Sequence, residues 1–455
     1  MRQRVKGWVL FALRWGIAIA GIWWVLSRMS WGDRVLVLDE HNRPVEAALA
    51  QRAGEKDAVF TIVDPHTGQH RTVGRDQTVN PPDRPGYIIS ALDGRRGRLL
   101  ALDLSDDMRT VRRLLIEAGP DGRGMWLAPN EVRGGYQVQV PHPRVRVGIG
   151  SLLHRARPGY LWAAVLVFPV VYFITAARWH MLLKALDIRL RFGRTFVLSM
   201  VGAFYNAFLP GMTGGDILKA YYASRQTPHR IHAVLSVLVD RVLGLLALMT
   251  LGGVAAAYIW LSSATPDDAA TRTCRHTALV AAVLVAGAAG GAALFAINPL
   301  RRALGLEFVL SRLPMQRQIS HVRQAMRRYR SRPLTVLAAL AMTVPVDVIC
   351  IVSTMLAGMA FGLPVPPMYY FVLVPVMLLT ASLPISPQGA GVMEFFAVQF
   401  TRQYGATVSQ AFALAMSVRL IQIVWNLTGG IFVLRGGYHV PTRDEQEEME
   451  RDEEQ

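Results

Sequence analysis

Apolar residues along this chain gather into long runs separated by basic clusters, with one polar region near the start. Residues 348–393 carry no Asp, Glu, Lys or Arg, and charge-free stretches also cover Tyr160–Ala177, Thr195–Gly215, Val242–Pro266 and Thr277–Leu300. A helix needs about 20 apolar residues to cross the hydrocarbon core of a bilayer, and these runs reach or approach that length. The pattern predicts spans near Tyr160–Ala177, Arg241–Leu261, Thr277–Ile297, Pro333–Phe361 and Gln410–Leu434. A further span lies in Met1–Leu26, where Arg2, Arg4 and Lys6 precede an apolar run. That start has the basic lead of a signal peptide. However, Arg14 interrupts the run, Trp23-Trp24 sit where an interfacial aromatic belt falls, and no small-residue cleavage site follows. An uncleaved anchor helix over 1–29 is the better reading.

The polar region, 30–157, has a different rhythm. Short apolar runs at Arg34–Leu38, Ala58–Val63, Tyr87–Ala91 and Leu99–Leu104 alternate with turn sequences such as Asp64-Pro65-His66-Thr67-Gly68. This is strand-and-turn patterning and predicts a small β-rich domain, with one helical stretch near Met108–Glu117. Asp64, His66 and His70 suggest a metal site, but they lack a convincing ligand set and fit a polar turn better. The expected organisation is thus an anchor helix (1–29), a β-rich insert (30–157), a membrane region (158–437) and an acidic tail (438–455), the last without fixed structure.

Composition supports the membrane reading: 52% of residues are hydrophobic and only 18% charged, against about 25% charged in soluble domains. The net charge of +17 raises nucleic acid as a partner, but the basic residues sit at the ends of apolar segments. Between Arg301 and Arg332 there are nine arginines and one acid, Glu307, which suits a cytoplasmic loop lying on anionic headgroups. Nucleic-acid binding is therefore not expected. The cationic flanks place both termini in the cytoplasm and the insert outside, at a bacterial inner membrane. Two cysteines, Cys274 and Cys350, provide neither a disulfide framework nor a metal cluster, and no cofactor is expected.

Two apolar segments do not read as simple spans. Phe196–Tyr222 is broken by Leu209-Pro210-Gly211-Met212-Thr213-Gly214-Gly215-Asp216, and Tyr369–Phe400 by Leu383-Pro384-Ile385-Ser386-Pro387-Gln388-Gly389-Ala390-Gly391. Pro removes a backbone donor and Gly weakens a helix, so each cluster interrupts its helix. Irregular backbone at membrane depth is tolerated only when buried in protein or lining a polar cavity, which predicts two re-entrant hairpins. Asp216 follows the first break and Glu394 the second; Arg241 and Arg419 each lie 25 residues further on. Matching breaks with matching charges point to an inverted repeat with a midplane site. A helix starting after a Gly-rich break presents free N–H groups to an anion, and arginines add bidentate phosphate contacts.

The candidate substrate-binding set is therefore Asn206, Pro210, Gly214, Gly215, Asp216, Asp240, Arg241, Pro387, Gly389, Gly391, Glu394 and Arg419. The prolines and glycines act through the shape they impose. Asp347 and Arg178 join the ionisable residues of membrane segments, which are costly and suggest function. For Arg178, Lys219 and Arg225, marking the cytoplasmic interface is the preferred role. Asn206 and Asn426 suit interhelical hydrogen bonding.

At these residues the chain resembles the lysylphosphatidylglycerol synthase transmembrane-region family, also called flippase-like domain proteins. The likeness is carried by Asn206–Asp216, Asp240-Arg241-Val242-Leu243-Gly244-Leu245 and Pro387–Glu394, and it extends from about Tyr160 to Gly437. The resemblance implies lipid translocation: in the bifunctional synthases this region moves the aminoacylated lipid between leaflets, and related members handle hopanoid or polyprenyl lipids. Only an acidic tail follows Tyr438 where the synthases carry an aminoacyl-transferase, so aminoacylation is not expected. With no GxxxxGK[ST] motif in the sequence, neither is ATP hydrolysis. The expected function is a lipid translocase binding an anionic or isoprenoid-linked headgroup between the hairpins, with no enzymatic step. Two alternatives are a membrane transferase using Asp216 or Glu394 as general base, and a scaffold whose β-rich domain recruits an extracytoplasmic protein.

Overall fold

Proline and glycine set most helix boundaries in the membrane region. The computed structural model describes residues 15–438 except 17, 52–56, 66, 84–85, 106–107, 109, 119–121, 139–141, 209–213, 228–229, 264–267, 297–323, 325, 383–385, 387–388 and 437. The helix over 18–28, α1, leads into the β-domain. After that domain come α2 (Ile149–Arg155), α3 (Pro158–Val167) and α4 (Pro169–Ala185). Proline occupies the first position of both α3 and α4, where its missing N–H costs nothing. Next are α5 (Phe192–Phe208), α6 (Gly214–Ser224), α7 (Arg230–Ser262), α8 (Ala269–Ala296) and α9 (Pro333–Ala360). The chain closes with α10 (Tyr370–Ser382), α11 (Val392–Arg402), α12 (Val408–Thr428) and α13 (Gly430–Gly436).

Five of the described segments are long and apolar enough to cross a membrane: Pro158–Ala185, Arg230–Ser262, Ala269–Gly291, Pro333–Ala360 and Val408–Gly436. The sixth expected span falls on α1, whose beginning lies outside the described residues, as do the acidic tail and most of the loop Arg301–Arg332. From that loop, Arg328 and Arg332 reach back to Asp187 at 3.3 and 2.7 Å.

Helix, break, short helix, long helix occurs twice, as α5–α6–α7 and as α10–α11–α12. Two buried clusters match the two units. Trp179, Leu182, Leu198, Val201 and Ala233 pack around the first. Tyr369, Tyr370, Leu373, Met377, Ala397 and Leu414 pack around the second. The units interlock: α12 lies against α5, and a Cβ on Gly429 would overlap the Met200 carbonyl.

The β-domain comprises two antiparallel sheets. One has the order β10-β1-β2-β3-β4 with β5 paired to β1, and the other is β6-β7-β8-β9. Its strands are β1 (Arg34–Leu38), β2 (Pro44–Leu49), β3 (Val59–Val63), β4 (His70–Gly74), β5 (Thr78–Val79), β6 (Ile88–Ser90), β7 (Arg96–Leu104), β8 (Val111–Ala118), β9 (Arg123–Leu127) and β10 (Val145–Arg146). The helix expected near Met108–Glu117 is instead the strand β8. Leu114 and Ile116 face one buried cluster and Leu115 another, so β8 is apolar on both faces. Such a run has lost the period-2 signature that separates strand from helix. Entry and exit are adjacent: Arg34 pairs with Arg146, and Asp33 accepts from the Gly148 amide at 2.8 Å. Asp64 accepts from the Thr67 amide at 3.1 Å, the polar-turn role, while His66 lies outside the described residues.

Candidate functional site

The first break brings two helices unusually close. A Cβ on Gly215 would overlap the Gly202 carbonyl of α5, so only glycine allows α6 to return along α5 at this distance. Asn206 ties the two legs: its Oδ1 accepts from the Gly215 amide at 2.9 Å, satisfying a donor that the start of α6 would leave open. Gly214 begins α6, and Asp216 sits in its first turn. The Arg241 guanidinium of α7 donates to the Asp216 carboxylate. Both side chains keep about a quarter of their surface, 24% and 26%, so the pair is open to a competing ligand.

Behind this pair lies a buried charge cluster. Arg178 of α4 donates through Nε to Asp240 Oδ1 at 2.8 Å and through Nη1 to Thr343 Oγ1 at 2.9 Å. Lys219 of α6 approaches the other Asp240 oxygen at 3.5 Å and stands 3.9 Å above the Trp179 ring. Asp347 of α9 is 6% exposed, and its Oδ2 has no hydrogen-bond partner among the described residues. These groups line a cavity of about 340 Å³ between the helices. Three cations (Arg178, Lys219, Arg241) and three acids (Asp216, Asp240, Asp347) line it, so the formal charges balance.

The second unit repeats the pairing in a drier setting. Arg419 of α12 donates to Glu394 Oε1 at 2.7 Å, and Glu394 Oε2 accepts from the Gly391 amide at 2.7 Å. Glu394 thus caps α11 and binds an arginine at once, with its side chain 1% exposed. Gly389 and Gly391 have φ of +68° and +82°, a region costly for other residues. A Cβ on Gly391 would press to 2.8 Å from the Ala18 carbonyl of α1. The 25-residue spacing seen twice in the sequence is therefore two ion pairs. The units meet at a small void of about 20 Å³ lined by Asn206, Ala381, Met393, Arg419, Gln422 and Asn426. Asn426 also accepts from the Tyr172 hydroxyl at 2.7 Å.

Of the candidate residues, Asn206, Asp216, Asp240 and Arg241 line the larger cavity. Gly214, Gly215, Gly389 and Gly391 shape the two turns, and Glu394 pairs with Arg419 beside the smaller void. Pro210 and Pro387 lie outside the described residues. Arg178 and Lys219 differ from the interface role expected of them: both are buried at 5% exposure and hold Asp240. Helix α4 continues to Ala185 instead of ending before Arg178. The overlooked signal was the acids: Asp240 and Asp347 in membrane helices need cations close by. Arg225 stays near the helix end, its guanidinium against Tyr221.

Comparison with known proteins follows the same boundaries. The model of the lysylphosphatidylglycerol synthase TM region matches residues 147–430, a stretch that contains both units and excludes the β-domain strands. A UPF0104 membrane protein of the archaeon Methanocaldococcus jannaschii is 33% identical over 96 residues. That similarity covers 20% of this chain and only 28% of the archaeal protein.

Proposed function

The chain belongs to the lysylphosphatidylglycerol synthase transmembrane-region family, as a multi-pass membrane protein, and from that premise we propose that it is a lipid translocase. Its 340 Å³ cavity is the binding place of a charged lipid headgroup whose tails stay in hydrocarbon. The observation that carries this reading is the Arg241–Asp216 pair, each side chain about a quarter exposed, facing an interior cavity. A carboxylate on an arginine occupies the position a headgroup phosphate would take. An incoming anionic headgroup exchanges with Asp216, and the freed carboxylate is taken up by the cations on the opposite wall. Each anion thus stays beside a cation throughout the exchange, which limits the cost of holding the headgroup in low dielectric.

The buried Glu394–Arg419 pair serves as the stiffer half against which the first unit moves. Rocking of one unit against the other alternates access to the cavity, as in transporters built from discontinuous helices. In this reading the β-domain is extracytoplasmic, the membrane is the bacterial inner membrane, and the chain is a carrier with no enzymatic step. The test is movement of a fluorescent anionic phospholipid in proteoliposomes, followed by quenching from the outer leaflet. Arg241→Ala abolishes movement while its size-exclusion profile remains that of the folded protein, and Glu394→Ala abolishes movement together with some stability, because a buried pair is broken from one side. Wild-type rates in both variants would refute the site.

A further inference from the structure

A second void is larger than the interior cavity. It is a crevice of about 620 Å³ where the β-domain meets the second unit. Its walls come from the end of α1, strands β1 and β2, the segment around β10, and the α11–α12 turn. Arg28, Arg34, Arg146 and Arg402 line it together with His142 and a single acid, Glu46. Arg34 donates to Glu46 Oε2 at 3.2 Å, and Arg146 to the other oxygen, so one carboxylate is shared by two guanidiniums. Arg28 lies 4.4 Å above the Trp24 ring, and Arg402 has no carboxylate in reach among the described residues. Four guanidiniums thus face one carboxylate in a concave space, where low-dielectric walls focus the field.

The apolar side of the crevice is as informative as the charged one. Trp24, near the end of α1, lines the crevice and packs on Phe395 in the first turn of α11 with ring centroids 5.0 Å apart. Aromatic rings below and guanidiniums beside them match the boundary between acyl chain and phosphate. We propose that this crevice is a second lipid site, separate from the interior cavity, that grips the phosphodiester of a phospholipid headgroup between Arg28, Arg146 and Arg402. Guanidinium forks suit that group because they present paired N–H donors to two phosphate oxygens. The proposal does not rest on the translocase reading: either can fail while the other stands.

His142 supplies a signature. Its pKa is held below the usual histidine value by burial, then by Arg146, with Asp83 opposing and Arg402 adding to the depression. Arg34 and Glu46 complete the charges around it. A bound anion raises that pKa, so binding takes up a proton and strengthens as pH falls. A phosphodiester keeps its own charge across this range, which leaves the histidine as the titrating group.

The experiment uses full-length protein in a maltoside detergent, which carries no phosphate. Phenylglyoxal modification of Arg28 and Arg402 is followed by peptide mass spectrometry, with short-chain phosphatidylglycerol in one arm and dimethyl phosphate in the other. The lipid protects both arginines saturably, and more strongly at pH 6 than at pH 8; His142→Gln flattens that difference. Arg402→Gln weakens protection of Arg28 by about tenfold, the loss of one charge-assisted contact, with unchanged unfolding temperature because Arg402 is exposed. Equal protection by dimethyl phosphate would overturn the lipid assignment. Absence of saturable protection by either probe would overturn the site.

Discussion

Asp240 is the side chain on which most of the buried charge depends, since it alone among the described residues pairs with both Arg178 and Lys219. Asp240→Asn keeps the shape and leaves two buried cations with one neutral oxygen between them. Breaking a buried pair from one side costs about 3–5 kcal/mol. A large fall in unfolding temperature in detergent is the expected outcome, against little change for Arg225→Gln at the helix end. Asp347→Asn is the contrasting case. Its Oδ2 has no hydrogen-bond partner among the described residues to lose, so the variant folds with wild-type stability, and lipid movement is kept or quickened because one acid that repels an anionic headgroup is gone. An unfolding scan run beside the proteoliposome assay checks both. Asp216, Glu394, Arg241 and Arg419 were legible in the sequence because each stands out in an apolar run at a repeated spacing. Arg178 and Lys219 were not, since each borders a basic cluster and a flank looks like an interface until the fold buries it.

At the scale of elements, the two units depend on glycines for two different reasons. Gly215 is required by proximity, because its Cβ would occupy the Gly202 carbonyl. Gly391 is required by conformation, with φ at +82°, and by α1 crossing over it. Gly215→Ala forces α5 and α6 apart and breaks the Asn206 link, so loss of transport together with lower stability is expected. Gly391→Ala adds about 1–2 kcal/mol of left-handed strain and loosens α1. Gly287→Ala, where a Cβ meets open space within 4 Å, is neutral or slightly stabilising by helix propensity. Unfolding temperatures of the three variants order as Gly287→Ala above both others. The breaks themselves were readable, because Pro and Gly clusters inside apolar runs have few other uses. Strand β8 was not, because burial on both faces erased its alternation. The end of α4 was missed for a related reason: a paired arginine inside a membrane helix imitates a helix end.

The whole molecule is a membrane core in two interlocked units with a β-domain inserted between α1 and α2. Because β1 and β10 are partners, the insert enters and leaves at one point. Helix α1 then crosses the second unit at Gly21 and Gly391, coupling the domain's root to the Glu394 cap. The central claim remains that Arg241 binds the headgroup and is not merely a structural partner of Asp216. The charge-swapped double variant Asp216→Arg/Arg241→Asp separates these roles in one measurement of stability and lipid flux. The pair re-forms in reverse, so the unfolding temperature recovers relative to either single change, while flux stays lost because the cation has left its place on α7. Recovery of flux along with stability, or wild-type flux in the single variants, would contradict the claim.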